Sequence, residues 1–132
     1  MKTILFVCVH NSGRSQMAEA FFNRLAGGKA RASSTGTDPA DAVDPTVVQA
    51  MREMGLDIGP NVPKALTPEM LEQADKVVTM GCGVGGTCPA TFVETEDWGL
   101  DDPKGEPLEK VREIRDEIRD RVAKLVEEMA TK

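Results

Sequence analysis

The chain has 132 residues, 16 Lys and Arg against 22 Asp and Glu, and a net charge of −6 with its single histidine neutral. So acidic a balance argues against nucleic acid as a partner, and no run of about 18 or more apolar residues is there to span a membrane. The length suits one domain covering residues 1–132, and one lysine running straight into an apolar strand has no signal-peptide form, so a cytoplasmic protein is expected.

Ile4-Leu5-Phe6-Val7 is a β-branched and aromatic run that reads as a buried parallel strand. Residues Cys8 to Ser15 follow it, and the helix-forming Gln16-Met17-Ala18-Glu19-Ala20 comes next. Ala30 to Thr35 is a second strand closed by Gly36. Asp44-Pro45 starts a helix, with Asp as cap and Pro at the first helical position, carrying Val47, Val48, Met51 and Met54 until Gly55. Thr67-Pro68-Glu69 opens a short helix with Met70 and Leu71, and Lys76 to Met80 is a third strand ending at a loop of glycine and cysteine. A fourth strand is expected near residues 93–98. Leu108, Val111, Ile114, Ile118, Val122, Leu125 and Met129 recur at steps of three and four, the apolar stripe of a long final helix with a solvated charged face. Strands alternating with helices predict a parallel sheet with helices on both faces, whose ligands bind beyond the carboxyl ends of the strands. Cys8 and the Gly81-Cys82 loop both fall at such ends.

The segment Cys8-Val9-His10-Asn11-Ser12-Gly13-Arg14-Ser15 carries the chemistry. A turn between strand and helix directs backbone N–H groups from Val9 to Arg14, a helix N-terminus and a guanidinium at one spot, which makes an anion cradle. A sulfur at its rim should ionise readily. Gly13 lets the backbone approach the ligand, and the planar fork of Arg14 grips two oxygens. The Ser15 hydroxyl either caps the helix or donates to the thiolate. His10 reads as a bystander whose charge tunes the site, with a catalytic base as the competing reading.

Asp101-Asp102-Pro103 is either a plain turn or the source of a proton for a departing oxygen. Cys82 and Cys88 flank a loop with three glycines, suited to sequential thiol–disulfide exchange. Two unrelated buried cysteines, or a zinc set with Cys8 and His10, are the alternatives. Zinc is disfavoured because the short paired ligand spacings are absent and Arg14 would have no role.

Together these residues resemble the arsenate reductases that are coupled to thioredoxin and share the fold of low-molecular-weight protein tyrosine phosphatases. The likeness runs through the Cys8–Ser15 turn, Ser15-Gln16-Met17-Ala18-Glu19, Ser34-Thr35-Gly36, Val77-Val78-Thr79, the Cys82 and Cys88 pair, and Trp98-Gly99-Leu100-Asp101-Asp102-Pro103. It implies a three-layer α/β fold with a four-stranded parallel sheet. It also implies that Cys8 attacks arsenate held by Arg14 and the turn, and that Asp102 protonates the departing oxygen. Cys82 would then release arsenite by forming a disulfide with Cys8, Cys88 would move that disulfide to Cys82–Cys88, and thioredoxin would reduce it. A monomer without cofactor is expected.

This chain departs from those relatives at three points. Position 13 is Gly where relatives often carry a further cysteine. Five residues separate Cys82 from Cys88, against six in one branch. Relatives that bind K⁺ do so through residues matching Asn11, Glu19 and Ser34 plus an aspartate, a position that corresponds here to Lys64. An ammonium there replaces the metal, so no metal is expected. The alternative is a phosphatase acting on phosphate monoesters with the same Cys8, Arg14 and Asp102. Against it, the chain has no Tyr, and Lys104 follows Pro103 where such phosphatases usually carry an aromatic residue. Residual phosphatase activity is compatible with the reductase reading. A non-catalytic oxyanion-binding or redox-sensing module is the third possibility, in which Asp102 is dispensable.

Overall fold

A computed structural model describes residues 2–80, 94–101 and 103–130. In chain order its elements are β1 (Lys2–Cys8), α1 (Arg14–Ala26), β2 (Ala30–Gly36), α2 (Pro45–Arg52), α3 (Pro68–Gln73), β3 (Lys76–Thr79), β4 (Glu94–Asp97) and α4 (Leu108–Ala130). The strands form one parallel sheet in the order β2-β1-β3-β4. Because the chain passes from β1 to β2 on one side and then to β3 on the other, the strand order reverses at β1. Connections leave a reversal in opposite directions and open a crevice at the strand's carboxyl end. Cys8 is the last residue of β1.

Side chains alternate across β1 and feed two cores. Ile4, Phe6 and Cys8 join Met17, Phe21 and Phe22 of α1, Val47 and Met51 of α2, and Val111, Ile114, Ile118, Val122 and Leu125 of α4. Leu5, Val7 and Val77 pack on the opposite face, with Met70 and Leu71 of α3 against them. Helices therefore cover both faces. Phe6 is the centre of the larger core, 6.1 Å from the Phe22 ring and 5.8 Å from that of Trp98.

Helix ends follow local chemistry. Asp44 accepts from Thr46 N and Pro45 occupies the first position of α2, while Thr67 accepts from Met70 N at α3. Helix α2 stops at Arg52, before Met54 and Gly55, and the chain turns through Gly55 at φ 77°. Arg115 of α4 then ties the two helices together by donating to Ala50 O and Glu53. Among the described residues no helix is long and apolar enough to cross a membrane.

Candidate active site

The turn from Cys8 to Gly13 is shaped from outside by residues 37–44. Thr37 N donates to Cys8 O, Asp38 N to Val9 O, Ala40 N to His10 O and Asp44 N to Ser12 O. In a planar trans peptide the N–H points opposite to the C=O. Pulling those four carbonyls outward therefore turns the N–H groups of Val9, His10, Asn11 and Gly13 inward, and it is this pull that makes the cradle. Gly13 caps α1 without any side-chain cap, so the helix N-terminus stays open beside them. Asn11 makes the bend possible at φ 52°, a left-handed conformation that Asn tolerates better than most residues.

Cys8 Sγ is buried and meets two donors. Asn11 N lies at 3.2 Å and Ser15 Oγ at 2.8 Å. The direction of the second bond follows from the network, because Asn11 Nδ2 donates to Ser15 Oγ at 2.7 Å. That hydroxyl already accepts there, so its single proton is available to the sulfur. Of the two roles open to Ser15, the geometry shows the bond to sulfur and no cap. Both donors favour a negatively charged sulfur. Asn11 is fixed in turn, since its Oδ1 accepts from Lys64 N at 2.9 Å and Gln16 Nε2 at 3.2 Å, and Asn61 Nδ2 donates to Gln16 Oε1. Sequence reasoning placed Gln16 in the Ser15–Glu19 run without giving it this work and passed over Asn61, an exposed residue outside the helices.

Arg14 is 5% exposed, and its Nη1 donates to Leu100 O at 3.1 Å. The loop before α4 thus reaches the oxyanion arginine through a backbone carbonyl. Asp101 of that loop is exposed and pairs with Lys110 at 3.1 Å. Pro103 is buried against the turn. Asp102 lies outside the described residues, as do Cys82 and Cys88. Residue 80, two before Cys82, is at the site's edge: Met80 N donates to Val7 O, one residue before Cys8.

His10 donates through Nδ1 to Asp38 O at 3.1 Å, which holds the ring on the wall of the turn. The sulfur's partners among the described residues are Ser15 and Asn11. Lys64 Nζ is 3.8 Å from Glu19 Oε1. Burial pushes the Glu19 carboxyl up, opposed first by the Lys64 charge and then by Ser34. Ser34 Oγ influences Glu19 without reaching hydrogen-bond geometry with it. Among the described residues no group of three or more His, Cys, Asp or Glu is placed to hold a metal ion.

Comparison with known proteins places this arrangement. Residues 3–132 match the family model described as low molecular weight phosphotyrosine protein phosphatase. A putative arsenate reductase of Halobacterium salinarum is 44% identical over 128 residues, spanning 93% of this chain and 89% of that one. Among solved structures, a thioredoxin-dependent arsenate reductase of Corynebacterium glutamicum superposes with a TM-score of 0.84 at 36% identity over 99% of this chain. The chain spans only 63% of that neighbour's length. An arginine phosphatase from Geobacillus stearothermophilus superposes with a TM-score of 0.87 at 25% identity, covering 99% of this chain and 94% of that one.

Proposed function

Since the chain belongs to the low molecular weight phosphotyrosine protein phosphatase family, we propose that it turns this family's oxyanion site to the reduction of arsenate to arsenite. The carrying observation is the buried Cys8 sulfur, held by the donors of Ser15 and Asn11 beside a cradle closed by Arg14. Relatives named as arsenate reductases match over nearly the whole chain. Two further thiols, Cys82 and Cys88, supply what a phosphatase has no use for.

Arsenate sits with its oxygens on the inward N–H groups and on Arg14. The Cys8 thiolate attacks arsenic, an S–As bond forms, and an As–O bond breaks. Asp102 gives its proton to that oxygen, which leaves as water. The role is given to Asp102 because it directly precedes Pro103, as in the arsenate reductases the sequence resembles. The Cys82 thiolate then attacks Cys8 Sγ. The S–As electron pair passes to arsenic, which falls from the +5 to the +3 state and leaves as arsenite. Cys88 attacks Cys82, frees Cys8 and leaves a Cys82–Cys88 disulfide, which the dithiol of thioredoxin reduces by exchange. The two electrons come from two thiols, and the third removes the oxidised pair from the site. The Lys64 ammonium beside Glu19 takes the place of a bound K⁺. The enzyme works as a monomer, because one chain holds the nucleophile, the cradle and both resolving thiols.

The second reading is phosphate-monoester hydrolysis, favoured by the phosphotyrosine phosphatase family model that the chain matches. In that case Cys8, Arg14 and Asp102 act alike and water takes the place of Cys82. One experiment separates the two. Fully reduced protein is incubated with arsenate, free thiols are counted and the disulfide is mapped. A Cys82–Cys88 bond in the wild type, and loss of thioredoxin-supported reduction in Cys82→Ser and Cys88→Ser, are expected. Unchanged arsenate turnover in Cys82→Ser overturns the reading, while aryl phosphate turnover in a wild type whose thiols arsenate does not oxidise marks a phosphatase.

A further inference from the structure

Helices α1 and α4 both begin at the carboxyl end of the sheet and run back along it, but α1 has 13 residues and α4 has 23. At about 1.5 Å per residue the second is roughly 15 Å longer. Helix α1 stops at Ala26, where Gly27 at φ 57° and Gly28 at φ 88° turn the chain into β2. The apolar stripe of α4 continues through the half-buried Val126 and Met129. A cleft of about 490 Å³ is left between the two helices and the first residues of β1 and β2. The buried Phe22 and Ala26 line its base, and Leu25, 48% exposed, stands at its edge.

That size fits a small molecule, since such sites hold about 300–1,000 Å³. The lining is apolar on α1 and α4, while Lys2 and Lys29 stand against Glu127 as the charged groups. A net positive mouth runs against the balance of the chain, whose net charge is −6. Asp75, held down by hydrogen bonds from Thr3 and then by the Lys2 charge, claims part of that lysine. Lys29 makes no ion pair among the described residues. The carbonyl end of α1 draws on the same ammonium, so the contact with a headgroup is modest and the apolar walls supply most of the affinity. A second copy of the chain is a poor occupant. Among the described residues Leu25 is the only exposed large apolar side chain at the cleft, whereas each partner of a stable interface buries about 800 Å².

We propose that this cleft is a binding site for a single-chain amphiphile with an anionic head, of the medium-chain carboxylate class. The tail lies between α1 and α4, and the carboxylate meets Lys29 and Lys2. The site is separate from the oxyanion turn, because Lys2 and Cys8 stand at opposite ends of β1, about 20 Å apart at about 3.3 Å per residue. It goes beyond the arsenate-reduction reading and does not rest on it.

The test is calorimetric titration of the reduced chain with octanoate, decanoate and decyltrimethylammonium, each below its micelle concentration. Decanoate is expected to bind at one per chain and about tenfold more tightly than octanoate, since each buried CH₂ is worth about threefold to fourfold. Lys29→Glu should weaken decanoate about three- to tenfold. Ala123→Trp, which sets an indole into the cleft from α4, should abolish saturable binding. Both variants are checked for folding by circular dichroism and thermal unfolding, and if Ala123→Trp misfolds, Lys29→Glu and the cationic amphiphile decide. The proposal is overturned if decanoate shows no saturable binding, if decyltrimethylammonium binds as tightly, or if either folded variant binds decanoate like wild type. Displacement of decanoate by inorganic phosphate would put it at the oxyanion turn and overturn the separate site. Sedimentation of the chain with anionic phospholipid vesicles, without binding of free decanoate, would make a lipid surface the occupant and refute it as well. Binding is read without arsenate, so a failure of the arsenate-reduction reading leaves this result standing.

Discussion

Replacing Ser15 with alanine tests the electrostatic core of the site. The substitution removes one of the two hydrogen bonds that reach Cys8 Sγ, the one at 2.8 Å, and leaves the bond from Asn11 N. A hydrogen bond to a charged group is worth about 1.5–3 kcal/mol. About half of that is returned, because a better stabilised thiolate is a weaker nucleophile, with a Brønsted slope of about 0.4–0.5. The remainder, about 0.8–1.5 kcal/mol, predicts single-turnover arsenate reduction about 4–12-fold slower near neutral pH. Stability falls as well, because Asn11 Nδ2 loses its acceptor in a buried place. An orphaned buried donor costs about 1–3 kcal/mol, which at roughly 4 °C per kcal/mol lowers Tm by about 4–12 °C. The assay is thiol loss in the reduced chain after mixing with excess arsenate, quenched at intervals and paired with melting curves. Rates within a factor of two of wild type refute the assigned direction of the Ser15 bond.

Three further outcomes are expected. A methyl group at Gly36 meets Val9 O at 2.6 Å and Asn11 N at 2.9 Å, both backbone atoms of the turn; Gly36→Ala should therefore cost about 1–3 kcal/mol in unfolding free energy and depress turnover, and wild-type values in both would remove the glycine from the site. Arg112 and Arg115 hold the Glu53 carboxyl down to about 2, so this group's stabilisation is present above the usual carboxylate range and lost as pH falls through about 2. Glu53→Gln should lower Tm near neutrality, with the gap to wild type shrinking toward that pH, and a gap independent of pH would contradict the assignment. With the Lys64 ammonium 3.8 Å from Glu19, turnover should be the same in K⁺ and Na⁺. Burial raises the Glu19 carboxyl, so its ionised form is a cost that grows as pH rises through that raised value. Lys64→Met should accordingly lose more stability at pH 8 than at pH 4, and K⁺-stimulated wild-type turnover would argue against the cation's role.

Relations within one element were open to direct reading. The stripe from Leu108 to Met129 faces the core as its spacing of three and four requires. The Asp44 and Thr67 caps stand where the Asp-Pro and Thr-Pro pairs indicated them. The fourth strand was harder to read, because Glu94 to Asp97 has no alternating apolar pattern. Its place comes from pairing with β3. Gly13 was legible as a turn residue, but its neighbour Pro103 was not, because that proline stands 90 positions along the chain.

The sequence by itself determined the reacting parts: a cysteine at the end of a buried strand, an arginine six residues later, and a serine at the start of the helix. Their mutual distance follows from chain length and local backbone preference alone. Only the tertiary structure decided how those parts are aimed. The amides of Thr37, Asp38, Ala40 and Asp44 turn the carbonyls outward, Leu100 O anchors Arg14, and Lys64 N fixes Asn11. Most of these groups are backbone atoms, which every residue type carries, and their partners are remote in sequence. Nothing in residue identity or spacing marks them until the sheet reverses at β1 and brings them together.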